Sequence, residues 1–96
     1  MLPPTSPDLL RGETRLYFLW WTDLTVDGFR QQLQDAELRP YWMGALLREA
    51  NSRDVWLFVT PAEVRETWPR LQRYLGKSLR MWGWILDMPV SWPPRV

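Results

Sequence analysis

The residues that carry most catalysis at neutral pH are missing from this sequence. It contains no histidine and no cysteine, so the usual general base, the usual thiolate nucleophile and the common zinc ligands are all absent. The five glycines are scattered singly, which excludes a glycine-rich phosphate loop. We therefore predict that the protein is not an enzyme and that it uses no cofactor and no metal.

Carboxylates are the remaining candidates for metal chemistry. Asp23 follows the first predicted strand, and Asp27 lies one helical turn later. In a dimer, two copies of Asp23 could meet around Mg²⁺, which makes a metal-dependent nuclease our third functional hypothesis. The sequence favours a simpler interpretation, because acidic residues are stabilised at the amino terminus of a helix whether or not they do chemistry.

Basic residues recur along the second predicted helix and just beyond it: Arg70, Arg73, Lys77 and Arg80. The first three have the i, i+3, i+7 spacing of one helix face, so they could contact phosphates. Such a stripe is more often the solvated face of an amphipathic helix, and Glu63 and Glu66 dilute its charge. The net charge of +1 gives no general preference for nucleic acid.

Large aromatic side chains are the unusual feature of the composition. The chain has eight tryptophans in 96 residues, and each large aromatic buries roughly 150–250 Å² when it is enclosed. A folded body of roughly 75 residues has too small a core to enclose them all. Strand alternation predicts that six aromatic residues share one exposed sheet face: Tyr17, Trp21, Trp56, Phe58, Trp82 and Trp84.

Local patterns predict the elements that must position these side chains. Residues 15–21 (RLYFLWW) are apolar on both faces of an extended chain, which is typical of a central strand. Thr25 then caps a helix that ends before Pro40 and has its apolar residues at helical spacing: Val26, Phe29, Leu33 and Ala36. Residues 55–59 (VWLFV) predict a strand, and the alternation in residues 79–86 (LRMWGWIL) predicts the last one.

The segment from Thr60 to Glu63 carries the strongest local signal. Threonine at the N-cap, proline at the first helical position and glutamate at the third form a capping box. The helix that follows should bury Val64, Trp68, Leu71 and Leu75 and end at Gly76. Pro69 should kink or interrupt it near residues 67–68.

The predicted order is strand, helix, strand, strand, helix, strand. Right-handed crossovers fold such a βαββαβ chain into a ferredoxin-like α+β domain, with a four-stranded antiparallel sheet and both helices on one face. The element at residues 40–50 stays open. A strand is favoured there, but helix propensity around residues 45–50 allows a βααβαβ alternative with a three-stranded sheet.

Proline-rich ends frame one domain. We expect an extended arm over residues 1–12, a single α+β domain over residues 13–88 and a tail over residues 89–96. The absence of cysteine argues for a reducing compartment. Neither a signal peptide nor an apolar run of ~18 residues is evident, so we expect a soluble cytoplasmic protein that does not enter membranes.

An open aromatic sheet face predicts a binding function. The segments LYFL and VWLFVT loosely resemble the first-strand and third-strand signatures of RNA-recognition domains, although the glycine of the third-strand signature is absent. Strand order and Asp23 also resemble the small dimeric nucleases of CRISPR adaptation. Our main hypothesis is a non-enzymatic interaction module that forms a homodimer through this face. The alternative is a single-stranded nucleic-acid-binding protein that stacks bases on the same rings.

Overall fold

Helices are the regular structure of this protein. The computed structural model describes residues 4–93, and its five α-helices are α1 (Val26–Gln34), α2 (Arg39–Glu49), α3 (Ser52–Val55), α4 (Pro61–Leu71) and α5 (Leu79–Leu86). Four short 3₁₀-helices accompany them: Pro7–Leu10, Tyr17–Leu19, Gln72–Tyr74 and Gly76–Ser78.

No strand occurs within residues 4–93, where an isolated antiparallel bridge joins Arg15 to Thr25. The ferredoxin-like βαββαβ prediction is therefore wrong, and so is the three-stranded alternative. Residues 15–21 show why. Leu16, Phe18 and Leu19 are buried, but they reach the core from a tight 3₁₀-helix rather than from the two faces of a strand.

Helix α2 occupies the segment for which a strand was favoured. Pro40 sits in its first turn, where the missing amide donor costs no helical hydrogen bond. A continuous run of the helix is buried, from Met43 to Leu47. It packs against α1, α3, α4 and three of the 3₁₀-helices. Helix α2 is therefore the central element of the fold.

The other two predicted strands are also helical. Asn51 caps α3 with its side-chain oxygen, and the helix and the turn after it bury Val55, Phe58 and Val59. In α5 the buried residues are Leu79, Trp82, Gly83 and Leu86. Both sets have the i, i+3, i+4 spacing of a helix face. The apparent alternation in residues 79–86 arose because this helix has apolar residues on its solvent side as well.

The two predicted helices form and begin where expected, but both end earlier: α1 at Gln34 rather than before Pro40, and α4 at Leu71 rather than at Gly76. The Thr25 side chain caps α1 by accepting a hydrogen bond from the backbone N–H of Gly28 (3.2 Å). Thr60 and Glu63 form the predicted capping box of α4. Helix α4 continues past Pro69 to Leu71, so the proline does not interrupt it where we expected.

Loss of the capping box gives a local test of this assignment. The Thr60 hydroxyl accepts from the Glu63 N–H (3.1 Å), and the Glu63 carboxylate accepts from the Thr60 N–H (3.0 Å). Thr60→Ala should lower the free energy of unfolding by about 1 kcal/mol, because the hydroxyl acceptor is lost. Urea denaturation measures this, with Thr60→Ser as the variant that keeps the acceptor and should keep the stability. Equal midpoints for the alanine and wild-type proteins would contradict it.

Both proline-rich ends are attached to the helical body. Residues 7–10 of the predicted N-terminal arm form a 3₁₀-helix whose Leu9 lies in the core. In the C-terminal tail, the indole of buried Trp68 donates to the carbonyl of Pro89 (2.7 Å). The Gln72 side chain donates to the Ser91 hydroxyl (3.0 Å) and accepts from the Ser91 N–H (2.7 Å). Residues 1–3 and 94–96 of the predicted arm and tail lie outside the described residues.

Candidate interaction surface

The six aromatic residues predicted to share one face do not share it. Phe58 is in the core, where its ring packs edge-on against Phe18 and Phe29 with centroids 5.9 and 5.3 Å away. Trp82 is buried, and its indole N–H donates to the carbonyl of Leu47 (2.9 Å). Trp56 is half-buried against the Trp82 ring. These three residues pack against the helical body, since residues 4–93 form no sheet that could present them on one face.

The other three members of the predicted set are exposed at separate elements. Tyr17 is partly exposed, but its hydroxyl is bound within the protein. Trp21 packs edge-on against Trp20, which is 77% exposed. Trp84 on α5 is 84% exposed, the highest value among the large apolar side chains within residues 4–93.

The solvent side of α5 forms a continuous apolar surface. Met81, Trp84 and Ile85 are all exposed, and their i, i+3, i+4 spacing makes them neighbours on one helix face. We call these three residues the α5 face. Sequence reasoning found Trp84 and missed the other two, because it assigned Met81 and Ile85 to the covered side of a strand. A helical period applied to residues 79–86 would have placed all three together.

The rest of the protein fixes the orientation of α5. The Trp82 indole anchors its buried side to α2, and Arg65 of α4 donates to the carbonyl of Leu86 (3.2 Å). Asp87 ends the helix in the left-handed region, with φ 54°. The chain then turns back close to Gly83, where an added Cβ would lie 2.9 Å from a methyl carbon of Val90. The α5 face is therefore held outward by contacts on the opposite side of the helix.

The predicted phosphate-contacting residues lie along the chain from the end of α4 to the start of α5. Arg70 donates to the carbonyl of Ala36 (2.6 Å), and the Arg73 guanidinium lies over the Trp92 ring, 5.1 Å from its centroid. Arg80 lines an open cavity beside Trp92. Lys77 lies in the 3₁₀-helix between them and is exposed. The salt bridges found within residues 4–93 involve none of these four cations.

Asp23 does not lie in a cluster of metal ligands. Its carboxylate is 2.8 Å from the guanidinium of Arg15, and its side chain is 97% exposed. No group of three or more acidic, histidine or cysteine side chains that could hold a metal ion occurs within residues 4–93. A surface ion pair of this kind contributes little to stability. The geometry around Asp23 therefore gives the nuclease hypothesis no support.

Asp54 is a buried acidic residue that sequence reasoning missed. Its carboxylate accepts from the Thr5 N–H (2.8 Å), the Thr5 hydroxyl (2.6 Å) and the Tyr17 hydroxyl (2.5 Å). The Tyr17 oxygen in turn accepts from the Asn51 N–H (2.9 Å). Burial raises the pKa of Asp54, but the hydrogen bonds from Thr5 and Tyr17 outweigh it and hold the pKa below the usual aspartate value. This network joins the N-terminal arm to α3.

Burial and the hydrogen bond to Asp54 raise the pKa of Tyr17. Both groups therefore keep their ordinary charge states at neutral pH, with aspartate ionised and tyrosine neutral. Within residues 4–93, no buried side-chain nitrogen or oxygen lacks a partner.

Comparison with protein-family models, with curated proteins and with solved structures finds no match. Among the helices of residues 4–93, none has both the length and the apolar character needed to cross a membrane.

Proposed function

We propose that this protein is a non-enzymatic interaction module that forms a homodimer through the α5 face. The observation that carries the proposal is the 84% exposure of Trp84 between two further exposed apolar side chains, Met81 and Ile85. Isolated apolar residues are common on protein surfaces, but contiguous apolar patches mark sites of association. Tryptophan is also the residue type most enriched at the energetic centres of interfaces.

A second copy of the chain suits this face. The centre of the face is uncharged, so a two-fold axis can place it against itself without like-charge repulsion. Arg80 lies near its amino end and Asp87 follows its carboxyl end. Antiparallel packing of two α5 helices brings Arg80 of each protomer towards Asp87 of the other. The charges at the two ends of the helix are therefore complementary in the dimer.

The length of α5 limits the strength of this association. Its eight residues span about 12 Å at 1.5 Å per residue, which makes the contact smaller than that of an obligate dimer. The folded protomer also has its own buried core, so it does not need the partner in order to fold. We therefore expect a reversible dimer with a dissociation constant in the micromolar range.

Sedimentation equilibrium from about 5 to 500 µM tests the proposal. The wild-type protein should shift from monomer to dimer over this range. Trp84→Glu should abolish the shift, because it places a charge at the centre of the apolar contact. Trp20→Glu is the matched control, since Trp20 is similarly exposed (77%) on another element, and it should leave the dimer intact.

Charge reversal at the two ends of α5 provides a second test by the same sedimentation measurement. Arg80→Glu and Asp87→Lys should each weaken the dimer, and the double variant should restore part of the affinity because the pair is reversed rather than lost. A wild-type protein that stays monomeric at 500 µM (roughly tenfold above the expected dissociation constant) would overturn the proposal. Equal loss in Trp20→Glu and Trp84→Glu would also overturn it.

A further inference from the structure

Three open cavities follow one another along the surface from α4 to the start of α5. The first, of about 360 Å³, is lined by Arg39 and Arg70 among others. The second, of about 380 Å³, shares Arg70 with the first and adds Arg73 and Tyr74. We call the run of cavities that begins here the arginine groove.

The third cavity extends the arginine groove towards α5. It has a volume of about 500 Å³ and is lined by Arg80 and Trp92. Arg73 connects it to the second cavity, because the Arg73 guanidinium lies on the Trp92 ring. The three cavities therefore form one sequence of neighbouring sites rather than scattered depressions.

Positive charge predominates in the arginine groove. Four arginines line it, against two acids, Glu37 and Glu66. Within residues 4–93 none of these arginines forms a salt bridge with a carboxylate. Arg39 and Arg70 each donate to a backbone carbonyl, those of Leu33 and Ala36. A guanidinium carries five N–H donors, so one such bond holds the group in place and leaves donors for an anion.

Aromatic rings alternate with the cations. Tyr74 is packed edge-on against Tyr41, with ring centroids 5.7 Å apart, and Trp92 is held against Arg73. A ring beside a guanidinium matches the two parts of a nucleotide, since arginine contacts the phosphate and the ring stacks on the base. Each cavity also falls within the range of roughly 300–1,000 Å³ that small-molecule sites occupy.

We propose that the arginine groove binds single-stranded nucleic acid. Its arginines follow the phosphate backbone, and a base stacks on Trp92. A single strand fits better than a duplex, because stacking on a side chain requires an unpaired base. An acidic or phosphorylated peptide would satisfy the arginines but would leave the aromatic rings unused. The arginine groove shares Arg80 with the end contacts proposed for the homodimer, but Met81, Trp84 and Ile85 of the α5 face line none of its cavities.

Fluorescence anisotropy with a labelled twelve-residue oligothymidylate (a probe length of roughly one OB-fold site) tests this proposal. Binding should be measurable in 50 mM NaCl, and the logarithm of the affinity should fall linearly with the logarithm of the salt concentration. Arg73→Gln should raise the dissociation constant about five- to tenfold and make the salt slope shallower by about 0.7, the value for one phosphate contact on a single strand. Arg11→Gln removes the same charge from the N-terminal arm, which lines none of the three cavities, and should change neither quantity.

Variants of Trp92 separate stacking from charge. Trp92→Ala should raise the dissociation constant by about tenfold with an unchanged salt slope, whereas Trp92→Phe keeps a ring and should retain most of the affinity. A hairpin duplex of the same charge should bind several-fold more weakly.

Three outcomes would overturn the proposal. The first is no anisotropy change at 100 µM protein, which lies at the weak end of the roughly 10⁻⁴–10⁻⁶ M range of non-specific binding. The second is equal loss of affinity in Arg11→Gln and Arg73→Gln. The third is equally strong competition by polyglutamate, which would indicate an acidic-peptide site. Sedimentation of Arg73→Gln shows whether the variant keeps the association state of the wild type, so failure here is distinguishable from failure of the dimer.

Discussion

Replacing Asp54 by alanine should lower the free energy of unfolding by about 3 kcal/mol. The carboxylate is fully buried and accepts two hydrogen bonds from Thr5 and one from Tyr17. Hydrogen bonds to a charged group contribute about 1.5–3 kcal/mol each, and removing the acceptor leaves donors without partners at a part-buried site. Part of this loss is recovered when water reaches the donors, so the sum of the three bonds is an upper bound.

The contribution of Asp54 depends on pH with a definite sign. The pKa of Asp54 is lower in the folded protein than the ordinary aspartate value. The stabilisation is therefore fully present above about pH 4, where the unfolded chain is also ionised, and is lost as pH falls through the folded pKa. The contribution of Tyr17 to stability changes at alkaline pH instead. The pKa of Tyr17 is raised, so this contribution is present below about pH 10 and is lost as pH rises through the folded value.

Urea denaturation between pH 2 and pH 7 measures the effect. Wild type and Asp54→Ala should differ by about 3 kcal/mol at neutral pH, and the difference should shrink below about pH 4. Asp23→Ala is the control, because it removes an exposed carboxylate that pairs with exposed Arg15, and it should leave stability unchanged. A constant difference across the pH range would mean that Asp54 acts through packing rather than through its charge.

Gly44→Ala should destabilise the protein by about 2 kcal/mol, even though alanine is the better helix former. Replacing glycine in a helix interior gains about 1 kcal/mol in propensity. At Gly44, however, a Cβ would lie 2.4 Å from the Cβ of Tyr74 and 3.1 Å from its carbonyl oxygen. These atoms are the stem of a side chain and the backbone, so they cannot rotate away. Overpacking of this kind costs about 1–3 kcal/mol or more and exceeds the helical gain.

Gly28 provides the matched control for this prediction. It is also helical, but a Cβ there would meet only the ends of the Leu24 and Thr25 side chains, at 3.3 and 3.4 Å. Gly28→Ala should therefore leave thermal stability unchanged or raise it by up to about 1 kcal/mol. Differential scanning calorimetry of the two variants and the wild type measures the difference in thermal stability. If both variants melt above the wild type, α2 does not approach the Gln72–Tyr74 turn as closely as described.

The contrast between Thr60 and Trp82 shows how much the sequence reveals. A capping box is local, so residues 60–63 predicted the start of α4 without knowledge of the fold. Trp82 lies in an apolar segment whose parity suits a strand and whose i, i+3, i+4 spacing suits a helix equally well. Only tertiary contacts, such as the bond from Trp82 to Leu47, distinguish the two. Local capping signals predicted the starts of α1 and α4. Secondary-structure prediction failed in segments that have apolar residues on every side.

Helix α2 is the clearest case of this failure. A helix at the protein surface has a periodic pattern because one side faces water, but α2 is buried over the continuous run from Met43 to Leu47. Burial on all sides removes the 3.6-residue period and leaves a run that resembles a central strand. The same ambiguity between strand and helix affected the prediction of the α5 face, since Trp84 was predicted to be exposed while Met81 and Ile85 were not.

The attachment of the two proline-rich segments has a mechanical consequence. Tension transmitted along the chain from outside residues 4–93 reaches Thr5 and Ser91 before it reaches any α-helix. Each of these residues is held to the body by two hydrogen bonds, to Asp54 and to Gln72. Two hydrogen bonds at each end are a weaker attachment than the buried core that the helices share. The two end segments therefore yield first under load, while the helices around α2 keep their packing.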